Sequence, residues 1–302
     1  MYLIQGIILL LLSISLVQSH SIKALADVTS EETDNSIDQD YFSVSARIER
    51  ANKNAGKPKG EFTITHGDIA EYTELQNADP CTSRRCKWPR GSDGKVKVPF
   101  TISTEYCEYH FSPGFKVRCV RAPLAIINKL LFLTASSEIS VIQRGLASFQ
   151  NSTCIQFIPR TNEEDFINII SDSGCYSFVG RRGRRQVVSL QRNGCVFHEI
   201  IQHELLHALG FHHEQTRSDR DNHVRILLEN VIPGQESNFD IVNTNNLNTS
   251  YDYNSVMHYS RFAFSRNRRP TIIPIPDNNV PIGRATEMSP NDILRVNRLY
   301  CS

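Results

Sequence analysis

The stretch "HELLHALGFHHEQTRSDRD", His203 to Asp221, decides how the rest of the chain is read. It sets four histidines, an acid and a glycine at regular offsets. A solvated loop does not need that regularity, and a core helix avoids so much imidazole. On a helix, His203 and His207 rise from one face with Cβ atoms about 5–6 Å apart. Both rings then reach one metal ion at the zinc–nitrogen distance of about 2.0–2.1 Å. Glu204 is offset around the helix, where it faces water at the ion without ligating it. Gly210 accepts the left-handed conformation that ends a helix and turns the chain back. Two residues, His212 and His213, compete for the third ligand position, and the HExxHxxGxxH spacing selects His213. Adjacent side chains of an extended segment point apart, so His212 is expected to face away. His198 and His223 read as ordinary surface or core histidines.

Three neutral imidazoles leave zinc one position for water, which marks a catalytic site and not a structural one. Zinc brings the pKa of water to about 7 and polarises a carbonyl. Glu204 is placed to take the proton and deliver it to a leaving amine, as general base and then acid. The chemistry expected is metal-assisted peptide hydrolysis, with one zinc per chain.

Around this stretch the pattern is mixed. "CVFHEIIQHELLHALG" predicts a helix. "SEISVIQRGLASFQ" spaces Ile139, Ile142, Leu146 and Phe149 as a helix face after a Ser137 cap. "SPNDILRVNRLYC" predicts a helix capped by Ser289 with Pro290 at its first position. "KVKVPFTIS" alternates like a strand, and "RQVVSLQ" reads as another. These elements do not alternate as regular βαβ units, so the fold class expected is α+β.

The chain of 302 residues is 40% hydrophobic and 22% charged with net charge +1, which excludes a nucleic-acid-binding arm or a disordered acidic chain. Its first residues carry an apolar run from Leu3 to Val17, short for a membrane span, followed by small Ser19. Residues 1–19 are read as a secretory signal, with no stable membrane insertion. Residues 20–76 hold eleven acids against six bases and no cysteine, whereas 77–302 hold 27 bases, 21 acids and all eight cysteines. The first of these segments is expected to be a propeptide and the second the peptidase domain. In a secreted chain the cysteines are expected in bridges. Asn151 and Asn248 stand in glycosylation sequons. Residues 107–135 fit badly between the first strand and the first helix. They are read either as a translated intron or as a surface insertion closed by Cys107–Cys119.

With its glycine, third histidine and downstream "SVMHY", the motif resembles the metzincins, and specifically the astacin metalloendopeptidases. The resemblance implies a two-lobed, zincin-like catalytic domain with a twisted mixed sheet and an active-site helix crossing the cleft. It makes Met257 the apolar floor of a Met-turn under the ligands. It gives Tyr259 a hydroxyl that assists the oxyanion. It pairs Cys154 with Cys301 and Cys175 with Cys195; the first would contribute about 4–5 kcal/mol by chain entropy. "NADPCTSRRCKWPR", with Cys81–Cys86, is similar to the six-cysteine astacins of fishes, among them the hatching enzymes. That likeness implies egg-envelope (chorion) glycoproteins as substrate, with other extracellular substrates as the alternative and an inactive binding scaffold as the rival from another class. It also implies secretion, storage in secretory granules and an activating protease. "THGDIA" resembles the prosegment motif in which an aspartate, here Asp68, occupies the zinc. Gln76 precedes the expected mature start at Asn77, where a trypsin-like activator would need a basic residue. "GRRGRRQ" puts Arg181, Arg182, Arg184 and Arg185 beside the edge strand expected to pair with substrate.

Overall fold

A computed structural model of the protein describes residues 40–53, 62–72, 86–106 and 137–302. Residues 1–19, Asn77, Cys81 and Cys107–Ala135 lie outside them, and with them the signal, the mature start and the Cys81–Cys86 and Cys107–Cys119 pairings. The chain divides into two compact units, residues 1–42 and 43–302; the second holds everything that follows.

Among the described residues seven strands form the main sheet: β1 (Phe62–Thr65), β2 (Ile69–Tyr72), β3 (Val96–Ile102), β4 (Ile155–Pro159), β5 (Phe166–Ile170), β6 (Cys175–Phe178) and β7 (Arg185–Leu190). Their order is β1-β2-β6-β7-β5-β3-β4. β4, β3, β5 and β7 run parallel, while β6 is antiparallel to β7. In β3 the buried Val96 and Val98 flank exposed Lys97, the alternation of a strand with one covered face. A small antiparallel pair, β8 (Val224–Ile226) and β9 (Ile272–Pro274), lies further along the chain. This is the mixed-sheet α+β architecture expected.

Among the described residues four α-helices complete the unit: α1 (Val44–Lys53), α2 (Ser137–Gln150), α3 (His198–Ala208) and α4 (Pro290–Tyr300). Ser137 is the first helical residue of α2 and not the residue before it. α2 buries Ile142, Leu146 and Phe149 in the same core as Ile200, Ile201, Leu205 and Leu206 of α3. α4 has a full capping box, Ser289 accepting from the Asp292 N–H and Asp292 accepting from the Ser289 N–H. Cys154–Cys301 ties the end of α4 to the start of β4, and Cys175–Cys195 ties β6 to the segment entering α3.

The end of α3 is fixed with unusual completeness. Its last carbonyls need partners once the helix stops. His207 O accepts from Gly180 N–H at 2.7 Å, Ala208 O from Trp88 Nε1–H at 2.9 Å, and Leu209 O from the Tyr300 hydroxyl at 2.8 Å. Gly210 follows at φ +102°, where the chain turns.

α1, β1 and β2 belong to the acidic N-terminal segment. β2 adds to the edge of the sheet parallel to β6, with Ile69 opposite Ser177 and Ala70 opposite Phe178. Asn52 of α1 clamps the same edge: its side chain donates to Gly67 O and Cys175 O at 2.7 and 2.8 Å and accepts from Cys175 N–H at 2.8 Å. The Ser45 hydroxyl accepts from Ser260 N–H and Glu49 from Phe264 N–H, both at 2.9 Å. Arg47 pairs with Glu199 at the first turn of α3 and lies over the Phe197 ring.

Candidate metal centre

α3 presents His203 and His207 one turn apart, and the turn after Gly210 returns His213 to them. The His213 backbone is extended, at φ −63° and ψ 146°, so its neighbour His212 points elsewhere and does not join the cluster. The fourth member comes from the N-terminal segment: Asp68, in the turn between β1 and β2. All four side chains are at most 1% exposed.

The spacing of the donor atoms tests the fit to a metal. His203 Nε2 lies 3.1 Å from His207 Nε2, 3.3 Å from His213 Nε2 and 3.1 Å from Asp68 Oδ2. Asp68 Oδ1 lies 3.4 Å from His207 Nε2 and 3.0 Å from His213 Nε2. Four donors each about 2.0–2.1 Å from a common centre in a tetrahedron stand about 3.3–3.4 Å from one another. With the nearer Asp68 oxygen taken at each histidine, the edges of 3.0–3.4 Å reach that figure or fall a few tenths of an ångström short of it.

The tautomers agree. His203 Nδ1 faces the Val256 carbonyl and His207 Nδ1 the Phe211 carbonyl, each at 2.8 Å. A carbonyl only accepts, so both Nδ1 atoms carry the proton and both Nε2 lone pairs point into the cluster. Burial pushes the His213 ring down to about 3, which keeps it neutral. Lone pairs facing each other at such distances need a cation between them. The donor set of three imidazoles and one carboxylate suits zinc.

Glu204 is fully buried, and neither carboxylate oxygen has a hydrogen-bond partner among the described residues. Burial, with the charge of Asp68 adding to it, pushes its carboxyl well above the usual range. A buried acid left without partners is costly unless its role lies in the site itself.

Tyr259 packs its ring 4.6 Å from that of His213 and gives its hydroxyl proton to the His66 carbonyl in the Asp68 turn. A Cβ on Gly67 would stand 2.5 Å from the Tyr259 hydroxyl, and Gly67 has φ +85°, so only glycine seats this turn. Met257 is buried in the main core, and its carbonyl accepts from Glu214 N–H at 3.0 Å. Glu214, the residue after His213, takes a bidentate pair from Arg295 at 2.6 and 2.8 Å.

Other expected residues fall away from the centre. His223 stacks on Tyr251 at 4.7 Å. Arg181 is committed to Asp165 at 2.5 Å, Arg182 lies 6.0 Å over the Tyr72 ring, and Arg184 is exposed and 3.8 Å from exposed Glu164. Asn151 and Asn248 are both exposed. Sequence reasoning missed Asn52, Glu49, Ser45 and His66. Nothing in "SARIERANKN" marks the first three, and "THGDIA" does not mark the His66 carbonyl, because their partners lie more than a hundred residues on or in the backbone of the turn.

A mixed sheet with a helix carrying two ligands, a third after a glycine turn, and a buried free carboxylate define a zinc-dependent endopeptidase of the metzincin class. The model of the astacin peptidase family matches residues 127–301. The chain is 43% identical over 262 residues to High choriolytic enzyme 1 of Oryzias latipes, covering 86% of this chain and 84% of that protein. It is 41% identical over 297 residues to the Low choriolytic enzyme of the same fish, covering 97% and 96%. The solved structure of High choriolytic enzyme 1, described as a hatching enzyme zinc-protease, matches with a TM-score of 0.61 at 47% identity, covering 74% of this chain and 98% of that one. This chain belongs to the astacin family.

Proposed function

We propose that this astacin is made as a secreted zymogen and, once its N-terminal segment is removed, cleaves egg-envelope proteins at hatching. The observation that carries the latent state is Asp68 standing among His203, His207 and His213, with a carboxylate oxygen 3.0–3.4 Å from each Nε2. The fish choriolytic enzymes among its relatives support the substrate. The apolar run at residues 3–17 supports secretion, and no helix among the described residues is long and apolar enough to cross a membrane.

In this reading His203, His207 and His213 hold the zinc, and Asp68 is the ligand that leaves with the segment. Zinc held there would supply Lewis acidity toward the scissile carbonyl and bring the pKa of water near neutral. Glu204 accepts the proton of the attacking water, as a base that later acts as an acid. It then hands that proton to the leaving nitrogen. Tyr259, released from the His66 carbonyl, turns its hydroxyl to the developing oxyanion; a donor of this kind is worth about 10²–10³ in kcat. Departure of β2 frees the β6 edge, where an extended substrate pairs strand to strand. The activator is a protease that cuts after Gln76, at the expected mature start Asn77.

The test is to cleave the segment from purified protein and incubate it with isolated fish egg envelope and, separately, with casein, each with and without a chelator. Both substrates should be digested, with activity lost to chelator and restored by zinc. Digestion of casein alone would keep the chemistry and remove the envelope; digestion of neither would point to a silent binding scaffold.

A further inference from the structure

The three ligand histidines are not held alike. His207 Nδ1–H ends on the Phe211 carbonyl. His213 Nδ1 is buried without a hydrogen-bond partner among the described residues. His203 Nδ1–H donates to the Val256 carbonyl at 2.8 Å, and from there the hydrogen bonding continues. The peptide group containing that carbonyl carries the Met257 N–H on its other side, which donates to Ser255 Oγ at 3.0 Å. The Ser255 hydroxyl in turn donates to Asp292 Oδ1 at 2.6 Å. Each group therefore passes a proton donor in the same direction, from imidazole to peptide to hydroxyl, and the chain ends on a carboxylate.

The carboxylate is itself pinned. Asp292 Oδ2 accepts from Val256 N–H at 2.9 Å and from Ser289 N–H at 3.0 Å, the latter being the capping box of α4. Ser255, Val256 and Met257 are 0–2% exposed and Asp292 is 3% exposed, so water does not compete for these bonds. Hydrogen bonds aligned head to tail polarise one another, more so where the dielectric is low. A carboxylate bonded to a metal-ligating histidine raises its basicity and fixes its ring. Here the carboxylate stands two hydrogen-bonded groups away from the imidazole.

We infer that Ser255 and Asp292 are positioning residues for the metal centre, which act through the Val256–Met257 peptide to orient His203 and strengthen its Nε2 as a zinc donor. The inference rests on the assignment of His203 as a zinc ligand. It gives the C-terminal helix a role beyond packing, because its capping acid is the terminus of the chain. It also explains why an acid at this cap is tied to the Met-turn and not left to the helix alone.

The experiment measures zinc affinity of the full-length protein by competition with a chromophoric chelator at fixed pH, together with the visible spectrum of the cobalt-substituted form. Direct partners of metal ligands are worth about 10–100-fold in affinity, and a chain two groups longer should fall at the lower end, about tenfold. Ser255→Ala and Asp292→Asn should each weaken zinc about tenfold and shift the cobalt bands. Ser289→Ala, which removes the cap hydroxyl but leaves the chain from His203 to Asp292 intact, should lower thermal stability while keeping affinity within twofold and the spectrum unchanged. Parent-like affinity in Ser255→Ala would overturn the inference, as would an equal loss in Ser289→Ala. If Asp292→Asn fails to fold, Ser255→Ala decides alone. Failure of the parent to bind zinc would instead strike the ligand assignment.

Discussion

Gly67→Ala should unlatch the zymogen. Gly67 sits at φ +85°, and the left-handed conformation costs an alanine about 1–2 kcal/mol. Its new Cβ would stand 2.5 Å from the Tyr259 hydroxyl and 3.2 Å from Phe264 Cζ. Neither ring has room to yield, since Tyr259 is 3% and Phe264 9% exposed, so overpacking adds about 1–3 kcal/mol. Moving Tyr259 also breaks its bond to the His66 carbonyl, about another 1 kcal/mol. The closed state should therefore lose about 3–6 kcal/mol, which at 1.36 kcal/mol per decade shifts the balance of closed and open forms about 10²–10⁴-fold. The assay is hydrolysis of a quenched-fluorescent peptide by full-length protein with no activating protease, expressed relative to the leader-cleaved enzyme. A gel run alongside checks that the segment stays attached. If Gly67→Ala is as silent as the parent while its leader-cleaved form works at full rate, the turn does not hold the latch.

Further outcomes follow from the same geometry. Glu204→Gln should cut kcat of the leader-cleaved enzyme about 10²–10⁴-fold while zinc content, measured by atomic emission, stays at one per chain; unchanged turnover would mean another base. Asp68→Ala should give peptide-cleaving activity with the segment still in place, because the fourth donor is gone. Reducing Cys154–Cys301, or replacing both with serine, opens a loop of 147 residues and should cost up to about 5 kcal/mol, read as a fall in the midpoint of thermal unfolding. Replacing Arg182, Arg184 and Arg185 with alanine should lower kcat/KM for acidic peptides more than for neutral ones at low salt, with the difference fading as salt is added; equal effects would exclude steering.

The parts that were legible in sequence are those whose logic is local. The offsets of His203, Glu204, His207, Gly210 and His213 follow from one helix and its stop. The Ser289–Pro290 start of α4 follows from capping chemistry, and the alternation in β3 from a half-covered strand. Seven of the nine described strands were not read from pattern, β4, β5 and β6 among them. "CIQFIP", "FINII" and "CYSF" are runs of only four to six mostly apolar residues, too short to show a clear period. α1 escaped notice because "VSARIERANK" is largely polar and buries only Val44, Ser45 and Ile48. Its function depends on partners such as Ser260, Phe264 and Cys175, contacts that only tertiary folding brings together. The chain from His203 to Asp292 is hidden for the same reason: its acid lies 89 residues beyond the ligand that it supports.

The most direct measurement is zinc K-edge absorption on the full-length protein and again after removal of the N-terminal segment. One zinc per chain is expected in both. In the first it is bound by three imidazoles and one carboxylate at about 2.0–2.1 Å. In the second the three imidazoles remain and solvent oxygen replaces Asp68. Protein that carries no zinc, or a carboxylate ligand that persists once Asp68 has been removed, would contradict this assignment.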